Sequence, residues 1–187
     1  LSELLSNEEQ TEDFESDALE DIFEPENEQD NSIDQAKFFD ESYKMVLEKI
    51  AKEILSDKSG ITLQELASDI GYMHDMSRTT KKQLDHIEAI ITPWAGIVSH
   101  TAKDKTVWLS SNDVTGLIEW RGVDAFGTPR EWGSLAYPER LGLAKSALEK
   151  SPFAPVDFIF NELRLSRRTK ATIEKFHLWL KEYSEIN

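Results

Sequence analysis

From Phe38 onward the apolar residues of this chain recur with helical spacing. Phe39, Tyr43, Leu47, Ile50 and Ile54 form one stripe, which predicts an amphipathic helix over Phe38–Leu55, ended by Ser59-Gly60. Thr62 is placed to cap a short helix, Leu63–Ile70, with Glu65 at the third helical position as in a capping box. Gly71 then supplies a left-handed stop. A third helix is predicted from Ser77, capped by that serine and broken by Pro93. Two β-prone runs, Ile97–His100 and Thr106–Leu109, flank Ala102-Lys103-Asp104-Lys105 and predict a hairpin.

The third helix has a second copy. SRTTKKQLDHIEAII (Ser77–Ile91) and SRRTKATIEKFHLWL (Ser166–Leu180) align Ser, Arg, Thr and Lys at Ser77/Ser166, Arg78/Arg167, Thr80/Thr169 and Lys81/Lys170. Their apolar positions follow in step: Leu84 with Ile173, Ile87 with Phe176, Ile91 with Leu180. Upstream, Ala51–Leu55 parallels Ala144–Leu148, and Leu66 and Ile70 parallel Ile159 and Leu163, with a slightly longer loop in the first copy around Met73–Met76. The chain therefore reads as two copies of one three-helix unit. In the second, Pro138 opens a helix over Glu139–Leu148, Pro152 and Pro155 lead into Val156–Leu163, and the last helix runs towards Tyr183. No wing is visible after this helix, because the sequence stops there.

Three helices and then a hairpin is the order of a winged helix-turn-helix domain. The expected fold is mainly α, with two tandem winged-helix-like units and one small β-hairpin. The boundaries are an acidic tail over residues 1–36, a first unit over 37–110, a connector over 111–137 and a second unit over 138–187. Glycines punctuate the connector, and Trp120, Phe126 and Trp132 are too many aromatics for a solvated linker. They are expected to dock onto the two units and hold them together, a ligand pocket being the other reading.

Charge changes the picture more than composition does. The net charge is −15, yet of 36 acidic residues 14 lie in residues 1–35, which hold no Lys or Arg; that leaves 22 against 21 basic residues in the remainder. The acidity belongs to a tail, expected to be disordered because it has little apolar area to offset its ordering entropy. Phe14, Ala18, Leu19, Ile22 and Phe23 would share one face of a helix there, which makes Phe14, Leu19 and Phe23 candidate partner-binding residues. An acidic linker with incidental apolar side chains is the alternative. With 39% apolar residues and five tryptophans the rest can build a core. The absence of cysteine suits a reducing, cytoplasmic setting. No apolar run reaches membrane-span length. Lacking an initiator Met, the chain is expected to be an excerpt of a longer protein.

Catalytic motifs do not emerge. There is no phosphate-binding G-x-x-x-x-G-K-[ST] loop, and no Asp-x-Lys or Glu-x-Lys of the kind a magnesium-dependent nuclease strand would carry. His74, His86, His100 and His177 have no metal-ligand spacing. This chain is expected to be non-catalytic, with no cofactor and no metal. The basic residues carry more information. Arg78, Lys81 and Lys82 share a face at the start of the first repeated helix, and Arg164, Arg167, Arg168 and Lys170 crowd the matching turn. Lys103 and Lys105 stand at the hairpin tip. Such a surface suits nucleic-acid phosphates, duplex DNA foremost, bound weakly. A protein-protein contact is the alternative, since exposed Lys and Arg are often only solvated.

Several runs resemble a known family. They are Glu65–Gly71 followed by Ser77-Arg78, then Val107-Trp108-Leu109, Ile118–Arg121, Tyr137-Pro138-Glu139, and Asn161–Arg167. Over roughly residues 40–183 the chain is similar to the C-terminal domain of unknown function of large bacterial superfamily-one helicase-like proteins, which often also carry a nuclease domain. The resemblance implies an accessory role beside a helicase or nuclease of the same polypeptide, in DNA processing or defence. It carries over no catalytic residue. One departure is Leu163-Arg164-Leu165, where a glycine is expected as at Gly71, which points to a structural role for the second copy.

Overall fold

The computed structural model describes residues 33–58, 60–101, 103–122 and 130–186. Helices dominate, with one small antiparallel sheet. The order is α1 (Lys44–Asp57), β1 (Ile61–Thr62), α2 (Leu63–Met73), α3 (Lys81–Ile91), β2 (Gly96–Thr101), β3 (Asp104–Trp108), α4 (Tyr137–Lys150), α5 (Pro155–Glu162) and α6 (Lys170–Ile186). The hairpin forms where the β-prone runs stand. β3 lies in the middle of the sheet, paired with β2 along the hairpin and with β1, whose Ile61 faces Val107. Residues 1–32 of the tail, including Phe14, Leu19 and Phe23, lie outside the described residues, as does Phe126 of the connector, whereas residues 33–36 are ordered into the start of the fold.

The first helix starts later than its apolar stripe suggests. Single 3-10 turns occupy Gln35–Lys37 and Glu41–Tyr43, separated by the extended Asp40. That break shifts the phase, so Phe38 is fully buried while Phe39 stays exposed. Tyr43, Leu47, Ile50 and Ile54 face inward as the periodicity requires.

Caps and stops differ from expectation in both copies. Thr62 does cap α2, its hydroxyl accepting from the Glu65 N–H at 3.0 Å. The Glu65 carboxylate, however, accepts from Arg130 at 3.0 Å. Gly71 is not the stop: α2 runs on to Met73, and the left-handed residue is Asp75, at φ 56°. Ser77 does not cap α3 either. Thr80 does, with Gln83 bonding back to the Thr80 N–H at 2.6 Å to complete a capping box. In the second copy Thr169 plays that part and accepts from the Thr172 N–H at 3.1 Å, so Ser166 also lies outside its helix. In the first copy threonine wins because Gln83 lies three residues beyond Thr80, where it can reach back to it.

Once these ends are placed, the two repeated stretches share their helix order and the length of their second turn, while the second and third helices differ in length. α1 and α4 are each 14 residues long. The connections 74–80 and 163–169 are the same length, so the expected longer loop around Met73–Met76 is not there; the first copy instead has extra residues at the start of α2. Ile70 therefore corresponds to Ile159, both fully buried. Each copy has its own apolar cluster, one built around Leu47, Leu66, Ile70, Ile87 and Ile91, the other around Leu143, Ile159, Phe160, Phe176 and Trp179. Leu84 and Ile173 are partly buried against these clusters.

The described residues form one compact unit, and the described parts of the connector belong to it. Trp132 packs edge-on against Phe176 at 6.0 Å, and the Trp120 indole donates to Glu162 at 2.7 Å. Both serve the second copy. Ile118 bridges: its N–H donates to the Pro138 carbonyl at 3.0 Å, while its side chain lies against Gly60. Gly60, at φ 67°, also lies against the Trp108 indole, which leaves no room for a Cβ.

Candidate functional site

The expected nucleic-acid residues separate into free and engaged groups. Arg78 lies in the connection before α3 rather than on it, and Lys81 is the first helical residue, so the predicted helical spacing of Arg78 with Lys81 and Lys82 does not hold. Arg78, Lys81 and Lys82 are nevertheless all exposed near the start of α3. Lys82 is held over the Phe39 ring, its ammonium 3.9 Å from the centroid. Among the described residues Arg78 and Lys81 have no ion-pair partner.

The hairpin is largely committed elsewhere. Lys105 pairs with Glu88 on α3, which holds the hairpin against that helix. Asp104 pairs with Arg140 of α4, and the His100 ring stacks on Tyr137 at 4.3 Å. Arg140 in turn lies over Tyr137, its guanidinium carbon 5.5 Å from the ring centroid. Only Lys103 of the expected tip pair is exposed and, among the described residues, without an ion-pair partner. The expectation that Lys105 grips a phosphate is corrected by its bond to Glu88.

In the second copy Arg164, Arg167 and Lys170 are exposed. Lys170 comes within 3.8 Å of Glu174, a loose pair one helical turn on. Arg168 pairs with Asp157 of α5 and lies 4.8 Å over the Phe160 ring, so its role is partly structural. Arg164 adopts φ 49°, the left-handed place filled by Asp75 in the first copy. The missing glycine thus leaves the turn intact, and the reason for assigning this copy a purely structural role disappears.

A buried ionic cluster between the copies is not apparent from the sequence. Glu139, wholly buried on α4, lies 3.3 Å from Arg121 Nε and 3.2 Å from Arg130. Arg130 also reaches Glu65, and Arg121 donates to the Gly60 carbonyl at 2.9 Å. The Glu139 oxygens are close to both guanidiniums without aligned hydrogen bonds, so the contacts are chiefly ionic. Burial pushes the Glu139 carboxyl up and the Arg121 guanidinium down, while each opposite charge pulls the other back. Glu139 stands four residues from both Leu135 and Leu143, an acid on an apolar stripe, and that signal could have found it.

A second buried network ties down the start of the described chain. His74 Nδ1 lies 2.7 Å from the Ile70 carbonyl and so carries the proton, which leaves Nε2 to accept from the Tyr43 hydroxyl at 3.0 Å. Tyr43 accepts from the Asp34 N–H at 2.9 Å.

Among the described residues no group of His, Asp or Glu is gathered as a metal-ligand set, and no helix is long and apolar enough to cross a membrane. No family model matches this chain, and no curated protein and no solved structure is significantly similar to it.

Proposed function

We propose that this chain is a non-catalytic nucleic-acid-binding module, built as two tandem winged-helix-like units and serving a larger helicase-like polypeptide in DNA processing or defence. The order α1-β1-α2-α3-β2-β3, with β3 between β1 and β2, supports the winged-helix reading of the first unit. On that reading α3 is the recognition helix. The observation that carries the proposal is the exposed basic group Arg78, Lys81 and Lys82 at its start, of which Arg78 and Lys81 have no ion-pair partner among the described residues. Engagement of the hairpin by α3 and α4 leaves Lys103 as its phosphate contact. The helicase setting rests on the family resemblance.

A second reading, a protein-contact scaffold, is favoured by Tyr72, which is 82% exposed on α2 beside the same turn. Binding of a labelled DNA duplex by the parent and by Arg78→Glu/Lys81→Glu separates the two. Weaker affinity, with a salt slope shallower by about 0.9 for each phosphate no longer neutralised, is expected for the nucleic-acid module. Equal binding by the variant moves the function to the scaffold. Neither protein is expected to hydrolyse ATP or cleave DNA with magnesium.

A further inference from the structure

Phe153 is 102% exposed, more open than any other large apolar side chain among the described residues. It sits on the turn joining α4 to α5, closed by the Ala154 N–H donating to the Ser151 carbonyl at 3.1 Å. Prolines at 152 and 155 flank this turn, so the ring is presented by stiff backbone. Asp157, in the first turn of α5, binds Arg168. That ion pair joins the Phe153 turn to the basic connection 163–169. There Arg164 and Arg167 are exposed and, among the described residues, have no ion-pair partner, and Lys170 follows at the start of α6. At the corresponding places the first copy differs: β1 occupies the segment before α2, and Asp75 puts an acid where Arg164 puts a base.

An exposed aromatic ring before α5 and unpaired guanidinium groups in the connection after it suit a flexible chain of bases and phosphates that spans several nucleotides. Bases of a single strand are free to stack on a ring, and cations track the backbone. In a duplex the bases are already stacked, and an isolated ring gains only groove or backbone contact. We infer that the second unit binds single-stranded nucleic acid, a base stacking on Phe153 and phosphates meeting Arg164 and Arg167. The inference rests on the nucleic-acid reading of the chain and extends it to a separate surface and a separate form of ligand. A protein partner would also use an exposed Phe, but four cations within residues 164–170 favour a polyanion.

The experiment is an anisotropy titration of the full chain with labelled oligothymidylate and oligouridylate of about 16 nucleotides, and with a duplex of the same length. Phe153→Ala is expected to weaken single-strand binding about 5- to 100-fold and to leave duplex binding unchanged. Phe153→Trp should restore it. Arg164→Glu/Arg167→Glu should weaken it too and flatten its salt dependence by about 0.7 for each phosphate no longer neutralised. Because all three side chains are exposed, thermal unfolding should barely move. Single-strand binding that ignores Phe153→Ala, or a parent that does not bind single strands, overturns the inference. The duplex titration with Arg78→Glu/Lys81→Glu reports on the first unit separately, so either surface can fail alone. A preference between the two oligonucleotides tells DNA from RNA, and either one bound through Phe153 sustains the inference.

Discussion

Asp75 and Arg164 hold the same left-handed backbone conformation, at φ 56° and 49°, in corresponding turns of the two copies. Around each, the same two bonds close the preceding helix. Met76 N–H donates to Gly71 C=O and Leu165 N–H to Phe160 C=O, both at 2.9 Å; Asp75 N–H donates to Tyr72 C=O and Arg164 N–H to Asn161 C=O. This is a Schellman stop made without glycine, and the orphan carbonyls at the helix end are what it satisfies.

A left-handed conformation costs a residue with a Cβ about 1–2 kcal/mol, less for Asp, whose short polar side chain tolerates it. Arg164→Gly should therefore stabilise the fold by up to about 1 kcal/mol, after the greater freedom of glycine in the unfolded chain is deducted. Asp75→Gly should gain less. Denaturant unfolding of the two variants checks both, and a destabilised Arg164→Gly contradicts this turn geometry.

Gly142 should tolerate no side chain. A Cβ there would lie 1.7 Å from the Ile118 carbonyl oxygen, which is backbone and cannot step aside cheaply. Gly142→Ala is expected to cost about 3 kcal/mol by forcing the connector off α4. Gly116→Ala, with nothing within 4 Å of its Cβ, is the control and should be close to neutral. Equal melting temperatures for the two variants would show that Ile118 does not pack on α4.

Removing charge from Glu139 leaves Arg121 without its carboxylate and Arg130 with Glu65 alone. Glu139→Ala should destabilise by about 3 kcal/mol, because it opens a cavity where a wholly buried side chain stood and takes away the partner of a buried guanidinium. Limited proteolysis of the variant should cut first between residues 111 and 137, the connector this cluster fastens. An unchanged cleavage pattern and stability would remove the cluster from the forces joining the copies.

Two histidines make stability depend on pH. Burial, opposed by Asp104 and reinforced by Arg140, holds His100 below its ordinary value of 6.5. His86 is lowered chiefly by burial as well, with Lys44 and Lys82 adding to it, while a backbone bond to Phe38 and Glu41 oppose. A folded pKa below the unfolded one means that the unfolded chain takes up the proton first. Their contribution is thus full above about pH 6.5 and is lost as pH falls below it through the folded values. Glu139 and Glu182, both raised by burial, act the other way: their contribution is full below about 4.5 and is lost as pH rises through their folded values. His86→Gln/His100→Gln should therefore flatten the decline between pH 7 and about pH 5.5. A variant with the parent's pH profile would show that these rings are not buried neutral.

The local pattern carried most of the helices and the hairpin. These depend on periodicity and on residues a few places apart, so they are legible without a fold. Tertiary packing decided the rest. Phe38 rather than Phe39 became core because a break at Asp40 reset the helical phase. The stops at Asp75 and Arg164 could not be foreseen from a search for glycine, since the following turn imposes the left-handed conformation on whatever residue stands there. Lys105 and Lys82 looked as free as Arg78 in the sequence; Glu88 and Phe39, distant along the chain, engaged them. The Glu139 cluster needed residues 60, 65, 121, 130 and 139 to meet. Charge pairing across such separations depends on distances that only the folded chain sets, and a burial near zero exposure is what makes those distances matter.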